Sequence, residues 1–184
     1  MGKLALRGLV LVTAIALLGV GSYAIAGGGS KNFEGSPMTG YEENPDVSTP
    51  AVGSFEARLS DDGESLTYEL SYSELEGVVT QAHVHFGKPA INGGISFWLC
   101  ETATNPSPSA TTPACPTPGG TVTGEITPAE VIGPAGQGIA PMEFAEVVAA
   151  MRAGHAYANV HSSTRGGGEI RAQINNPGGN PGND

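Results

Sequence analysis

Apolar and polar residues alternate with a period of two along much of the chain between residues 53 and 174. Residues 53–60 and 66–72 both follow this alternation, and the sequence between them begins with Asp-Asp-Gly-Glu at 61–64. Two such runs around an Asp-Gly turn predict a β-hairpin. The same pattern predicts further strands at residues 79–86, 94–100, 121–126, 156–160 and 169–174.

One segment, residues 141–153, follows a helical period instead. Its apolar residues at spacings of three and four are Phe144, Val147, Val148 and Met151. Pro141 suits the first turn of a helix, and Gly154 suits the position just beyond its end. About seven short strands with one amphipathic helix predict an all-β fold, an antiparallel β-sandwich against which the helix packs.

The first 26 residues differ in character from the rest of the chain. Lys3 and Arg7 precede a long apolar run, and an Ala-Ile-Ala sequence then supplies the small residues of a cleavage site. This order predicts a signal peptide at residues 1–26 and an extracytoplasmic protein, periplasmic or secreted. Residues 8–26 are also nearly long enough to cross a bilayer, so an uncleaved membrane anchor is the alternative.

The remaining chain divides by composition into a flexible linker (27–37), a β domain (38–174) and a disordered tail (175–184) rich in Asn, Pro and Gly. Eight basic residues against eighteen acidic ones give a formal net charge of -10. Loss of Lys3 and Arg7 with the signal peptide changes this charge to -12. An acidic chain of this kind excludes nucleic acid as a partner.

Cys100 and Cys115 are the only cysteines. Because an exported chain meets an oxidising compartment, we expect them to form a disulfide that closes a loop rich in Ser, Thr and Pro. The alternative is a pair of thiolate metal ligands, which that compartment disfavours.

The four histidines fall in two short segments of the predicted sheet. His83 and His85 are two residues apart, so they share a face of one strand and lie about 6.6 Å apart along it. The other face of that strand is apolar and faces the core, so the imidazoles point away from it. His155 and His161 lie at the two ends of the strand predicted at 156–160.

His161 can supply a third imidazole to His83 and His85 if both strands belong to one sheet. His155 lies six residues earlier, about 20 Å away along an extended strand, so we leave it out of the site. Three imidazoles without a thiolate suit Cu(II) or Zn(II), and their geometry favours copper over zinc. The alternative is that these histidines face solvent and form ordinary hydrogen bonds.

Glu169 and Arg171 follow a Gly-Gly-Gly turn and share the strand face opposite Ile170. A contact between the two on an exposed strand is structural and contributes at most about 1 kcal/mol. Alternatively, Glu169 accepts the free N–H of a ligand imidazole or binds the metal directly.

Four segments together resemble the CHRD domain, a module named from chordin and also present in exported bacterial proteins. They are Ala-His-Val-His-Phe-Gly at 82–87, Asn-Gly-Gly at 92–94, Gly-His-Ala-Tyr-Ala-Asn-Val-His-Ser at 154–162 and Gly-Glu-Ile-Arg-Ala-Gln at 168–173. The resemblance spans residues 38–174 and implies an immunoglobulin-like β fold. The site residues it implies are His83, His85, Tyr157, Asn159, His161, Glu169 and Arg171, whereas His155 occupies a variable position.

A fainter similarity, His-x-His followed by Phe-Gly, links residues 83–87 to copper–zinc superoxide dismutases. Four histidines are too few for a complete copper–zinc site. A copper-only enzyme would need a fourth imidazole, and His155 is badly placed to supply it. Arg165 or Arg171 would also have to guide the superoxide anion against the negative charge of the chain.

The sequence therefore leads to three hypotheses. The first, which we favour, is an exported, non-enzymatic module that binds copper for storage, delivery or protection. The second is a copper-only, superoxide dismutase-like redox enzyme. The third is a chordin-like interaction module with an extracytoplasmic protein partner and no metal.

Overall fold

The computed structural model describes residues 30–175, so the predicted signal peptide and almost all of the predicted tail lie outside the described residues. Within this range the strands are β1 (Asn32–Thr39), β2 (Val52–Leu59), β3 (Leu66–Ser73), β4 (Val79–Phe86), β5 (Gly94–Cys100), β6 (Gly120–Ile126), β7 (Ala156–Ser162) and β8 (Ile170–Gln173). One α-helix, α1, spans Phe144–Arg152, and short 3-10 turns occupy Gly40–Glu42, Pro128–Glu130 and Ala135–Gln137. The predicted all-β fold with a single short helix is confirmed.

The strands form one antiparallel sheet in the order β5-β4-β7-β8-β1-β2-β3-β6. The two edge strands, β5 and β6, contact each other, so the sheet is nearly closed. The Tyr68 hydroxyl on β3 donates a hydrogen bond of 2.6 Å to the Leu99 carbonyl oxygen on β5. The sandwich-like interior therefore lies inside one continuous sheet.

The predicted hairpin is the pair β2–β3, in which Phe55 lies opposite Leu70. Both side chains are fully buried, whereas the next pair, Glu56 and Glu69, is exposed to solvent. An antiparallel sheet with one face on the core and one in water requires this alternation. The period-two pattern was therefore a reliable indicator of these strands.

Strand β1 corrects the prediction of a flexible linker at residues 27–37. From Asn32 onward the chain is a strand that lies between β2 and β8 and buries Phe33 and Met38. Its pairing register with β2 shifts between Gly35 and Met38, where the sequence is Ser36-Pro37. Because this irregularity interrupts the period of two, the sequence pattern does not indicate a strand here.

Helix α1 lies within the predicted segment 141–153 and buries the predicted apolar face. It begins three residues later than Pro141 because Met142 adopts a φ of 70°, which a helix does not allow. Gly154, with a φ of 70°, follows its end as expected.

Strand β7 lies near the middle of the sheet, and all seven of its residues are buried. Ala158 and Val160 belong to the hydrophobic core. Tyr157 and Asn159 lie on the opposite face, which is 3% exposed at each of them. Loops cover this outer face, and the candidate site lies beneath them.

Candidate metal centre

The pairing of β4 with β7 brings the three predicted histidines together. Antiparallel register places His83 opposite Asn159, and Gln81 opposite His161. Side chains on registered positions of neighbouring strands share a face, so His161 lies diagonally across from His83. His83, His85 and His161 each offer a ring nitrogen, and these three atoms all lie within 4.8 Å of one another.

The three rings are buried and in mutual contact. His83, His85 and His161 are 1%, 8% and 6% exposed. The Nδ1 atom of His83 lies 3.2 Å from the Nε2 atom of His161. This burial contradicts the alternative in which the histidines face solvent on an open strand.

Backbone carbonyl groups fix the protonation of two rings. His161 Nδ1 lies 3.0 Å from the carbonyl oxygen of Gly166, and His85 Nδ1 lies 2.9 Å from that of Gly93. A carbonyl oxygen only accepts, so both Nδ1 atoms carry the proton. In the neutral rings each Nε2 atom then carries a free lone pair. This is the form of histidine that binds a metal ion.

The buried environment keeps these imidazoles neutral. Burial lowers the pKa of His83 to about 2, and the neighbouring His161 and His85 lower it further. Burial also lowers the pKa of His85 to about 4 against the opposing hydrogen bond to Gly93. The pKa of His161 is lowered by burial as well. At neutral pH all three rings therefore carry lone pairs.

Two of the ring nitrogens have no hydrogen-bond partner. Among residues 30–175, the Nε2 atoms of His83 and His85 are buried and unpaired. A buried polar atom without a partner costs about 1–3 kcal/mol. A cation bound between the rings would satisfy such lone pairs, so the donor set fits a metal ion.

Aromatic side chains hold the rings in place. Trp98 on β5 contacts His83 edge-on, with ring centroids 4.3 Å apart. Tyr157 stacks on His85 with a centroid distance of 4.8 Å and an angle of 2° between the planes. The guanidinium carbon of Arg171 lies 3.3 Å from the centre of the Tyr157 ring. Arg171 thus supports His85 through Tyr157.

Arg171 and Tyr157 also hold the loop at residues 87–93 over the site. The guanidinium of Arg171 donates to the carbonyl oxygens of Ile91 and Lys88, at 3.2 and 3.3 Å. The Tyr157 hydroxyl accepts a hydrogen bond of 3.1 Å from the Gly93 N–H. Because Gly93 also accepts from His85, this loop, Tyr157 and His85 form one network.

Glu43 belongs to the site but was not predicted from the sequence. It follows the 3-10 turn Gly40–Glu42, is 7% exposed and faces Asn159 and Arg171. Burial raises the pKa of its carboxyl to about 7, while the positive charge of Arg171 and a hydrogen bond with Asn159 oppose that shift. It lies in no periodic element, so no pattern distinguished it from the exposed Glu42 beside it.

Glu169 is fully buried, but its hydrogen bonds go to loops instead of to an imidazole. The carboxylate accepts from the Thr49 hydroxyl at 2.8 Å and from the Glu76 N–H at 2.7 Å. The expected contact with a ligand imidazole is taken by the carbonyl groups of Gly93 and Gly166.

The two other sequence-based assignments agree with the structure. His155 is exposed, precedes β7 and is outside the histidine group, as expected. Cys100 and Cys115 form the predicted disulfide, and this excludes them as thiolate ligands.

Comparison with known proteins identifies the family of the chain. The family model of the CHRD domain matches residues 35–174, close to the range of the expected resemblance. No curated protein and no solved structure gives a match. Within residues 30–175, no helix has the length and apolar character that a bilayer crossing requires. The match includes every residue of the histidine group, and the chain belongs to the CHRD domain family.

Proposed function

We propose that this chain is an exported module that binds copper through His83, His85 and His161, for storage, delivery or protection of the ion. One observation carries the proposal. Three neutral imidazoles from two paired strands present donor atoms within 4.8 Å of one another, and two of their nitrogens are buried without partners. Because such lone pairs are costly when buried, the site favours a cation at its centre.

The choice of copper follows from the ligand type. Imidazole suits both copper and zinc, and Cu(II) binds a given nitrogen site more tightly than the other divalent ions of its row. No thiolate is available to favour a softer ion, since both cysteines are in the disulfide. A disulfide also fits the oxidising compartment that the leader sequence predicts.

Binding without turnover is supported by the surroundings of the rings. The imidazoles are almost inaccessible to solvent, which hinders a substrate from reaching the ion. Both arginines that would guide an anion are engaged: Arg165 pairs with Glu76 at 3.1 Å, and Arg171 bonds to the loop above the site. These contacts favour a binding role over a superoxide-reducing one.

The test is a titration of the chelator-treated protein with Cu(II) against a competing chelator of known affinity, followed by electron paramagnetic resonance. We expect one tight site with hyperfine structure from several nitrogens. The variant His83→Ala/His85→Ala is expected to lose this site. His155→Ala is the matched control, because His155 is exposed and outside the group.

Equal copper affinity in His83→Ala/His85→Ala and in the unaltered protein would refute the site. The same titration with Zn(II) decides the metal, since a higher affinity for Zn(II) would overturn copper while retaining the histidine site. Copper-dependent superoxide dismutation lost in His161→Ala would establish the redox alternative instead.

A further inference from the structure

We propose that Asn159 is a fourth ligand of the ion, which it binds through its side-chain oxygen, and that Glu43 holds this amide in the orientation that binding requires. This inference rests on the proposed function of the three histidines. It adds an oxygen donor to them and so defines a site of three nitrogens and one oxygen.

Asn159 occupies the position that such a ligand needs. It lies directly opposite His83 in the β4–β7 register and is 3% exposed. Its Oδ1 atom lies 3.1 Å from Nε2 of His161. The same nitrogen lies 3.2 Å from Nδ1 of His83, so one ring nitrogen of His161 is close to both side chains.

The spacing of Asn159 and His161 matches that of donors bound to a common ion. A metal that binds its ligands at about 2.0–2.1 Å separates neighbouring donors by about 2.9 Å at a right angle and about 3.3 Å at the tetrahedral angle. The distance from Nε2 of His161 to Oδ1 of Asn159, 3.1 Å, lies between these limits.

The hydrogen positions explain why Asn159 and His161 need a cation between them. The Nδ1–H group of His161 donates a hydrogen bond to the carbonyl oxygen of Gly166. In the neutral ring the Nε2 atom therefore carries a lone pair. The Oδ1 atom of Asn159 is also an acceptor. Two acceptors 3.1 Å apart repel each other, and a cation between them turns this repulsion into attraction.

A rotation of the amide by 180° would relieve the conflict by aiming its NH₂ group at His161. Glu43 opposes this rotation, because its buried carboxyl lies beside the Asn159 side chain and interacts with it. Above the pKa of that carboxyl, about 7, the rotated amide oxygen would face a carboxylate oxygen instead. Glu43 is itself held by the charge of Arg171 and by its contact with Gly168.

The experiment uses protein in which asparagine carries ¹³C at the side-chain carbonyl. With Cu(II) bound, we expect electron–nuclear double resonance to detect a ¹³C coupling that disappears in Asn159→Leu. Asn159→Leu is expected to weaken Cu(II) binding by about 10- to 100-fold, as losses of ligand-supporting groups do. Asn159→Asp keeps an oxygen at the same place and is expected to retain affinity. Asn32→Ala serves as the matched control, because Asn32 is exposed and bonds to Arg58 instead of to the site.

Absence of the ¹³C coupling in the unaltered protein would overturn the assignment of Asn159, even if Asn159→Leu does not fold. The assignment would also be overturned if folded Asn159→Leu had the same Cu(II) affinity and the same spectrum as the unaltered protein. In both cases the histidine site stands if His83→Ala/His85→Ala still loses copper. Failure of the unaltered protein to bind copper would instead refute the proposed function.

Discussion

The carboxylate of Glu43 lies against the α-carbon of Gly168, in the space that a β-carbon at that position would occupy. Gly168 adopts a φ of 130°, a conformation that other residues rarely adopt. It ends the 163–168 loop whose Gly166 carbonyl accepts from His161. The glycine therefore makes room for the carboxylate beside Asn159.

Gly168→Ala is expected to destabilise the protein by about 1–3 kcal/mol, because it combines backbone strain with a collision against Glu43. Chemical unfolding measures the loss. Gly167→Ala is the matched control, since a β-carbon there meets nothing within 4 Å, and its effect is expected to stay within about 0.5 kcal/mol. Equal effects of the two substitutions would contradict the role assigned to Gly168.

Acidification is expected to unfold the metal-free protein partly through its buried histidines. The folded-state pKa values of His83 and His85, about 2 and about 4, lie below the ordinary value of 6.5, so protonation favours the unfolded chain. Their stabilising contribution is present above pH 6.5 and is lost as the pH falls towards 4. Within that window, each ring lowers the free energy of unfolding by about 1.4 kcal/mol for each pH unit of acidification.

Urea unfolding at several pH values, with a chelator present, checks this expectation. His83→Gln/His85→Gln should show a shallower loss of stability between pH 6.5 and 4 than the unaltered protein. His155→Gln should keep the full slope, because His155 is exposed. Parallel curves for the double variant and the unaltered protein would mean that the rings are accessible to protons in the folded state.

The contribution of Glu43 to stability is expected to fall as the pH rises, which is the opposite of the contribution of the buried histidines. Its folded-state pKa of about 7 lies above the ordinary value of 4.5, so the folded state holds the proton more tightly. Ionisation then costs stability as the pH rises from 4.5 to 7. Glu43→Gln should therefore gain about 1–3 kcal/mol relative to the unaltered protein between pH 5 and pH 8.

Thermal or urea unfolding at those two pH values measures this gain. The neighbouring, exposed Glu42→Gln is the control and should show no comparable change. A constant difference between Glu43→Gln and the unaltered protein would mean that Glu43 is already ionised in the folded state at pH 5.

The disulfide is expected to stabilise the domain by about 3 kcal/mol, the loop-closure value for a loop of this length. It joins Cys100 to Cys115, fifteen residues further along the chain. Cys100→Ala/Cys115→Ala should lose this amount in urea unfolding. A reducing agent should bring the unaltered protein to the same level and leave the variant unchanged; a further loss in the reduced variant would contradict this explanation.

The sequence predicted those parts of the fold in which one local period holds. Strands β2 and β3 alternate because one face of each meets the core and the other meets water. The two faces of β7 also differ in polarity, although both are buried, so this strand was recognised. Strand β1 was missed because its bulge at Ser36-Pro37 interrupts the period.

The residues of the site, too, could be predicted only where they lie in a strand with a regular period. His83 and His85 share a face by strand geometry alone, and His161 joins them because β4 happens to pair with β7. Glu43 reaches the site through a loop 40 residues away from His83 in sequence, and only the folded chain brings it there. The sequence also could not indicate that the carbonyl groups of Gly93 and Gly166 accept from the histidines, because every residue carries a carbonyl group.

Trp98 is the only tryptophan in the chain, and its indole touches the ring of His83. Paramagnetic Cu(II) at the histidines would quench the fluorescence of so close an indole, whereas Zn(II), with a filled d shell, would not. The protein thus carries an intrinsic optical probe that distinguishes bound Cu(II) from bound Zn(II) without any label.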